Sequence, residues 1–261
     1  MARPAPGYAQ KPDYKVALES CAKRVRAVFG GETVADSTDM RLCHESGHLP
    51  VYYFPRADVR MDLLIPTARQ THCPFKGTAS YWTVAAGGQS AEDAVWSYDD
   101  PYDEAAAFAG LMAFYWNRMA AWFEEDEEVF VHARDPYARI DVVASARPVR
   151  VAAGGETVAE TTNALFLFET GLPVRYYIPP ADVRMDRLTA TDTATRCPYK
   201  GTAAYWSLAG AGDGFDDIVW SYPDPIAEVG RIKDHLCFFN ERVDEITVDG
   251  KAVPRPVTKW S

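Results

Sequence analysis

The segment Cys73-Pro-Phe-Lys-Gly-Thr-Ala-Ser-Tyr-Trp82 returns almost unchanged as Cys197-Pro-Tyr-Lys-Gly-Thr-Ala-Ala-Tyr-Trp206, 124 residues further along the chain. Self-similarity at a fixed spacing indicates a duplicated structural unit. We therefore predict two tandem domains of one fold, covering residues 1–134 and 135–261. Further blocks recur at the same spacing: Gly-Gly-Glu-Thr-Val-Ala at Gly30–Ala35 and Gly154–Ala159, Ala-Asp-Val-Arg-Met-Asp at Ala57–Asp62 and Ala181–Asp186, and Val-Trp-Ser-Tyr-x-Asp-Pro at Val95–Pro101 and Val219–Pro225.

Composition and charge restrict the class of protein. The chain is 48% hydrophobic and 25% charged, which is the balance of a folded globular protein. It has neither an apolar run of about 18 residues nor the apolar stretch of a secretion signal, so we expect a cytoplasmic protein without a membrane partner. A formal charge of −10 opposes a nucleic-acid backbone, and we expect no nucleic-acid partner.

The five cysteines are odd in number, and no two of them form a C-x-x-C pair. Neither a disulfide framework nor a zinc site is therefore indicated. We expect reduced thiols, no bound metal and no cofactor. The cysteines are Cys21, Cys43, Cys73, Cys197 and Cys237.

Each copy has the pattern of a mainly β domain. Residues 24–35 alternate polar and apolar residues on both sides of Gly30-Gly31, which predicts a hairpin with a two-residue turn. Short aromatic and β-branched runs at residues 52–55, 79–84 and 94–98 predict further strands. Strong helix formers after Pro101 predict a short helix that leads into a strand near the end of each copy.

The repeated blocks together resemble a bacterial and fungal family, domain-of-unknown-function family 427, which also carries a nucleotidyltransferase-like label. The resemblance covers nearly the whole chain, twice. It implies two tandem antiparallel domains of the β-tent type, the fold class shared by the ligand-binding domain of cereblon and the B-type methionine sulfoxide reductases. It implies no defined reaction.

The Asp-Val-Arg-Met-Asp block is the first candidate site. In an extended strand Asp58, Arg60 and Asp62 would share one side, because side chains alternate with period two. Arg60 could then present its planar fork to a ligand, while the alternative is an arginine neutralised between two aspartates. Asp58 and Asp62 would be about 13 Å apart, too far to share paired metal ions for nucleotidyl transfer. The second copy repeats the block as Asp182, Arg184 and Asp186.

The Cys-Pro-x-Lys-Gly segment is the second candidate site. A rigid turn that brings Lys76 near Cys73 could favour the reactive thiolate, and Lys200 and Cys197 repeat the arrangement. The alternative is a small buried cysteine whose neighbouring lysine pairs with an aspartate of the first block. The two copies share no histidine that could act as a base, which argues against a Cys–His hydrolase.

Aromatic strands complete the predicted site. Core packing is the simpler reading of Trp96 and Trp220, whereas buried tyrosine hydroxyls need partners and suit a ligand pocket. The pocket tyrosines would be Tyr81, Tyr98, Tyr205 and Tyr222.

We therefore expect a small-molecule-binding protein or enzyme with one pocket per repeat, built from the Asp-Arg-Asp block, the Cys-Pro-x-Lys-Gly turn and the Tyr/Trp strands. One alternative is a thiol-dependent transferase, hydrolase or redox enzyme that uses Cys73 or Cys197. Another is a non-catalytic interaction module, in which duplication strengthens binding to a paired partner. Homo-oligomers or pairing of the two domains within one chain would fit each hypothesis.

Overall fold

The computed structural model describes residues 2–212 and 214–258 and divides the chain into two compact units. The units are Met1–Asp135 and Pro136–Ser261. Within the described residues each unit has eleven strands in the same order, β1 to β11 and β12 to β22. The expectation of two similar, mainly β, antiparallel domains is confirmed.

The first unit consists of a seven-stranded and a four-stranded sheet, with orders β1-β4-β5-β9-β8-β7-β6 and β11-β10-β2-β3. Its strands are β1 (Val16–Cys21), β2 (Val25–Phe29), β3 (Glu32–Ser37), β4 (Met40–Glu45), β5 (Val51–Pro55), β6 (Leu64–Cys73), β7 (Gly77–Ala86), β8 (Gln89–Ser97), β9 (Leu111–Phe114), β10 (Ala121–Glu124) and β11 (Glu127–Val129). The short α-helix α1 spans Gly7–Gln10, and 3-10 helices span Arg56–Asp58, Met61–Leu63, Asp103–Phe108 and Trp116–Arg118.

The second unit repeats this arrangement, with sheet orders β12-β15-β16-β20-β19-β18-β17 and β14-β13-β21-β22. Its strands are β12 (Ile140–Ser145), β13 (Val149–Ala153), β14 (Glu156–Thr161), β15 (Ala164–Glu169), β16 (Arg175–Ile178), β17 (Leu188–Cys197), β18 (Gly201–Leu208), β19 (Val219–Pro225), β20 (Leu236–Phe238), β21 (Glu245–Val248) and β22 (Lys251–Ala252). Its 3-10 helices span Pro180–Asp182, Met185–Arg187 and Ala227–Ile232.

The predicted hairpin is confirmed as β2 and β3, which pair on either side of Gly30-Gly31. Both glycines have positive φ, 58° and 81°, a conformation that a two-residue hairpin turn requires and that side chains disfavour. The predicted strands at residues 52–55, 79–84 and 94–98 fall on β5, β7 and β8. The predicted short helices are the 3-10 helices Asp103–Phe108 and Ala227–Ile232, each followed by a strand.

Both faces of the seven-stranded sheet are covered. On β5, Tyr52 and Phe54 pack into a core shared with the four-stranded sheet, and we call this side of the sheet the inner face. Tyr53 lies between them in sequence and packs into a separate cluster, on the side that we call the outer face. The 3-10 helix Asp103–Phe108 covers the outer face with the buried side chains of Ala105 and Phe108. The second unit has the same two clusters.

Candidate functional site

A buried ion pair lies on the outer face of each repeat. The ammonium of Lys76 binds the carboxylate of Glu45, and their side chains are only 8% and 13% exposed. Lys76 lies in the turn between β6 and β7, whereas Glu45 ends β4, on the other side of the sheet order. The sheet must therefore curl to bring the two together. Lys200 and Glu169 form the same pair at 10% and 9% exposure.

Aromatic and hydroxyl groups surround the first pair. The Lys76 nitrogen lies 5.5 Å from the ring centroid of Tyr98 and 5.8 Å from that of Phe108, within the range of cation–π attraction. The hydroxyl of Tyr14 donates a hydrogen bond of 2.8 Å to Glu45. Burial, reinforced by nearby Cys73 and Glu45, raises the pKa of Tyr98, so its phenol stays neutral. The alternative in which Lys76 pairs with an aspartate of the Asp-Arg-Asp block is wrong.

The thiols of the outer cluster differ in burial. Cys73 and Cys197 are partly buried, whereas Cys43 and Cys237 are fully buried. Burial raises the pKa of Cys43 to about 12 and that of Cys237 to about 12. A raised thiol pKa favours the protonated form, which is the unreactive one. Cys43 and Cys237 are therefore poor nucleophiles in the folded protein.

This difference predicts an order of thiol labelling. We expect iodoacetamide to modify Cys73, Cys197 and Cys21, which are all partly exposed, well before Cys43 and Cys237. Between pH 7 and 9 labelling of Cys43 and Cys237 should stay low, because a pKa near 12 keeps both protonated over this range. Peptide mass spectrometry at timed intervals measures the order. Early labelling of Cys237 without unfolding would contradict the buried environment, and labelling of Cys73 and Cys197 ahead of Cys21 would favour thiol catalysis.

The Asp-Arg-Asp block does not form the predicted strand. Asp58 ends one 3-10 helix, Met61–Leu63 forms another, and Arg60 lies between the two. The Asp58 carboxylate accepts a hydrogen bond of 2.6 Å from Ser37. Arg60 donates two hydrogen bonds, of 2.8 and 2.7 Å, to Asp62. The prediction that Asp58, Arg60 and Asp62 share one side of a strand is therefore wrong.

The second repeat agrees in each of these contacts. The Asp182 carboxylate accepts a hydrogen bond of 2.6 Å from Thr161. Arg184 donates two hydrogen bonds, of 2.9 and 2.7 Å, to Asp186. The planar fork of each arginine is thus already used within the fold. This agrees in part with the alternative of an arginine neutralised between two aspartates, because one of the two aspartates binds it.

The structure also separates this block from the Cys-Pro-x-Lys-Gly turn. The amide of Arg60 donates to the carbonyl of Val34 on β3, and Val59 packs into the core between the sheets. Cys73 packs into the outer cluster instead. The predicted convergence of the two segments on one pocket is therefore wrong, because the seven-stranded sheet lies between their packing environments.

Tyr81 and Trp96 lie on the outer face, and the polar group of each makes a hydrogen bond there. The two residues are paired in register on β7 and β8. The Tyr81 hydroxyl lies 2.7 Å from that of Thr71, and the indole of Trp96 donates a hydrogen bond of 3.1 Å to Tyr53. The second repeat has the same contacts, with Thr195 and Tyr205 hydroxyls 2.7 Å apart and Trp220 donating to Tyr177 at 3.2 Å. Tyr222 is buried like Tyr98.

Sequence reasoning missed a threonine–aspartate contact beside these tyrosines. Thr67 donates a hydrogen bond of 2.6 Å to Asp93, and Thr191 donates one of 2.6 Å to Asp217. Both aspartates have positive φ, 51° and 50°, which is uncommon outside glycine. The sequence signal for this contact was the recurrence of the threonine and the aspartate at the same positions in both repeats. It was missed because these residues lie outside the long shared blocks.

Neither a metal site nor a membrane-spanning helix has a candidate within the described part of the chain. In residues 2–212 and 214–258, no group of three or more His, Cys, Asp or Glu side chains is arranged to hold a metal ion. Over the same residues, no helix has the length and apolar character needed to cross a bilayer.

Comparison with known proteins gives a family but no activity. The family described as "Domain of unknown function (DUF427)" matches residues 17–125 and again residues 141–249. No curated protein matches the chain. The two matches span most of the chain and coincide with the two structural repeats. The chain therefore belongs to the DUF427 family, as a tandem duplication of its domain.

Proposed function

We propose that the protein binds small molecules at one site per repeat, on the outer face beside the buried Lys–Glu pair. The observation that carries this proposal is the recurrence of that pair, Lys76 with Glu45 and Lys200 with Glu169. Buried charges are expensive unless paired, and a hydrophobic pair of similar volume often stabilises a fold as well. A polar centre maintained in both repeats is therefore better explained by ligand recognition than by stability alone.

The surroundings suit a small ligand with a polar head. The lysine ammonium has three donors, and one of them serves the glutamate. Tyr98 and Phe108 supply aromatic surface next to this ammonium. A few polar groups set in an aromatic wall are typical of small-molecule sites. The proposal includes a cytoplasmic location, where five unpaired cysteines remain reduced.

The test compares binding profiles of three proteins against a metabolite library, measured by thermal shift and confirmed by calorimetry. The first is the wild type. The second carries Lys76→Met with Glu45→Met and Lys200→Met with Glu169→Met, which removes the charges in pairs and keeps apolar volume. The third is a control with Arg60→Ala and Arg184→Ala, on the opposite side of the sheet. We expect the paired variant to lose ligands that the control keeps.

Two results would count against the proposal. Identical profiles for the wild type and the paired variant would remove the Lys–Glu pair from ligand binding. Loss of the same ligands in the arginine control would place binding at the Asp-Arg-Asp block instead.

A further inference from the structure

An arginine lies over the buried ring of Tyr81, near the partly exposed ring of Tyr115, on the outer face of the first repeat. The guanidinium of Arg69 is 4.8 Å from the ring centroid of Tyr81, and its side chain is 49% exposed. The rings of Trp96 and Tyr115 are 4.6 Å apart, and Tyr115 is 37% exposed. Burial, and after it the neighbouring Tyr81, raises the pKa of Tyr115. Tyr81 is also paired with Trp96 across β7 and β8, so the two parts lie next to each other. The first repeat therefore offers two aromatic rings, tilted at 43° to each other, and a cation side by side.

The second repeat keeps a pair of aromatic rings but has no arginine at the position of Arg69. The guanidinium of Arg242 lies 5.9 Å from the ring centroid of Phe239, and it donates hydrogen bonds to the backbone carbonyls of Gly214 and Asp216. Thr193 occupies the position of Arg69, and Phe239 that of Tyr115. The ring of Phe239 lies 4.4 Å from that of Trp220, which is only 7% exposed. The nearby guanidinium of Arg175 is turned to the buried carboxylate of Glu241, with two hydrogen bonds of 2.7 and 2.6 Å.

Local charge differs accordingly between the repeats. In the first, Asp93 accepts from Thr67 at 2.6 Å and pairs with one nitrogen of Arg69 at 3.4 Å. In the second, the carboxylate of Asp217 accepts hydrogen bonds from the hydroxyls of Thr191, at 2.6 Å, and Thr193, at 2.7 Å. A carboxylate balanced by a guanidinium is locally neutral, whereas one held by hydroxyls keeps its negative charge. Arg69 contacts Asp93 through one nitrogen only, so its guanidinium can still bind an added anion. At the equivalent position of the second repeat the described residues place hydroxyls on Asp217 instead of a guanidinium, so this carboxylate repels an anion.

We propose that the outer face of the first repeat binds an aromatic carboxylate, whose ring packs on Tyr115 and Trp96 and whose carboxylate binds Arg69, and that the second repeat selects an uncharged ligand. This inference rests on the proposed function, because it assigns ligand classes to the two sites. Arginine suits the role, since its planar fork binds carboxylates through charge-assisted hydrogen bonds.

The test uses 2-naphthoate and its uncharged counterpart 2-naphthamide, titrated by calorimetry into the full-length protein. We expect the wild type to bind 2-naphthoate at one site per chain. Arg69→Thr, which gives the first repeat the residue of the second, should weaken 2-naphthoate about tenfold and leave 2-naphthamide unchanged. The reciprocal change Thr193→Arg should raise the number of 2-naphthoate sites towards two. Arg60→Ala serves as the control for a general loss of positive charge.

Three results would overturn the inference: no 2-naphthoate binding by the wild type, equal binding at both repeats, or an equal effect of Arg69→Thr on both ligands. The paired Lys76→Met and Glu45→Met variant separates this inference from the proposed function. If that variant keeps 2-naphthoate binding and the library profile while Arg69→Thr loses 2-naphthoate, the proposed function fails and the arginine site stands. If only the paired variant loses ligands, the proposed function stands and the arginine site fails.

Discussion

Replacing Lys76 by methionine is expected to lower the free energy of unfolding by about 3 kcal/mol, because it leaves the carboxylate of Glu45 buried without its cation. The effect should be large since the pair joins the β6–β7 turn to β4, across most of the seven-stranded sheet. Urea denaturation of the full chain, followed by circular dichroism, measures the loss. Lys200→Met tests the equivalent pair in the second repeat.

The matched control for this prediction is the double variant Lys76→Met with Glu45→Met. Removing both charges avoids the unpaired carboxylate, so stability should return to within about 1 kcal/mol of the wild type. The Tyr14 hydroxyl then loses its acceptor, but this side chain is only partly buried and can reach water. A single variant as stable as the wild type would show that Glu45 does not depend on Lys76.

Replacing Gly30 by alanine is expected to destabilise the protein by more than about 3 kcal/mol, through a backbone clash added to an unfavourable φ. A Cβ at this position would lie 2.2 Å from the carbonyl oxygen of Ala86, and Gly30 has φ of +58°. The obstacle is backbone at the β7–β8 turn, which cannot move like the end of a side chain. The same denaturation experiment measures the change.

Two glycines in the chain provide graded controls for Gly30. Gly31 has φ of +81° but no atom within 4 Å of an added Cβ, so Gly31→Ala should lose only about 1 kcal/mol from conformational strain. Gly154 meets the flexible tip of Leu208 at 2.9 Å, and Gly154→Ala should fall between the two. Equal losses at Gly30 and Gly31 would contradict the predicted backbone clash at Gly30.

The duplication and the hairpin could be predicted from the sequence because both leave local signals. A run of identical residues at a constant spacing has no other common cause, and Gly30-Gly31 between alternating residues is a direct turn signal. The Asp-Val-Arg-Met-Asp block failed for an equally local reason. Val59 and Met61 both pack inward, so two short 3-10 turns produce the same alternation as a strand.

The polar centre of the candidate site could not be read from the sequence. Lys76 and Glu45 are 31 residues apart and lie on elements that are not neighbours in the sheet. Only the curl of the sheet brings them into contact, and no residue pattern reports that curl. Glu124 shows the same limit. It begins the run Glu124-Glu-Asp-Glu-Glu128, a charge pattern that is typical of a solvated surface, yet it is buried and accepts a hydrogen bond of 2.6 Å from Tyr52.

A crystal structure with the tightest ligand from the metabolite library tests the central claim most directly, because it locates the ligand without reference to any variant. We expect the ligand on the outer face, with a polar atom within hydrogen-bond distance of the ammonium of Lys76 or Lys200. A ligand bound beside Arg60 or Arg184, or between the two sheets of a repeat, would contradict the account.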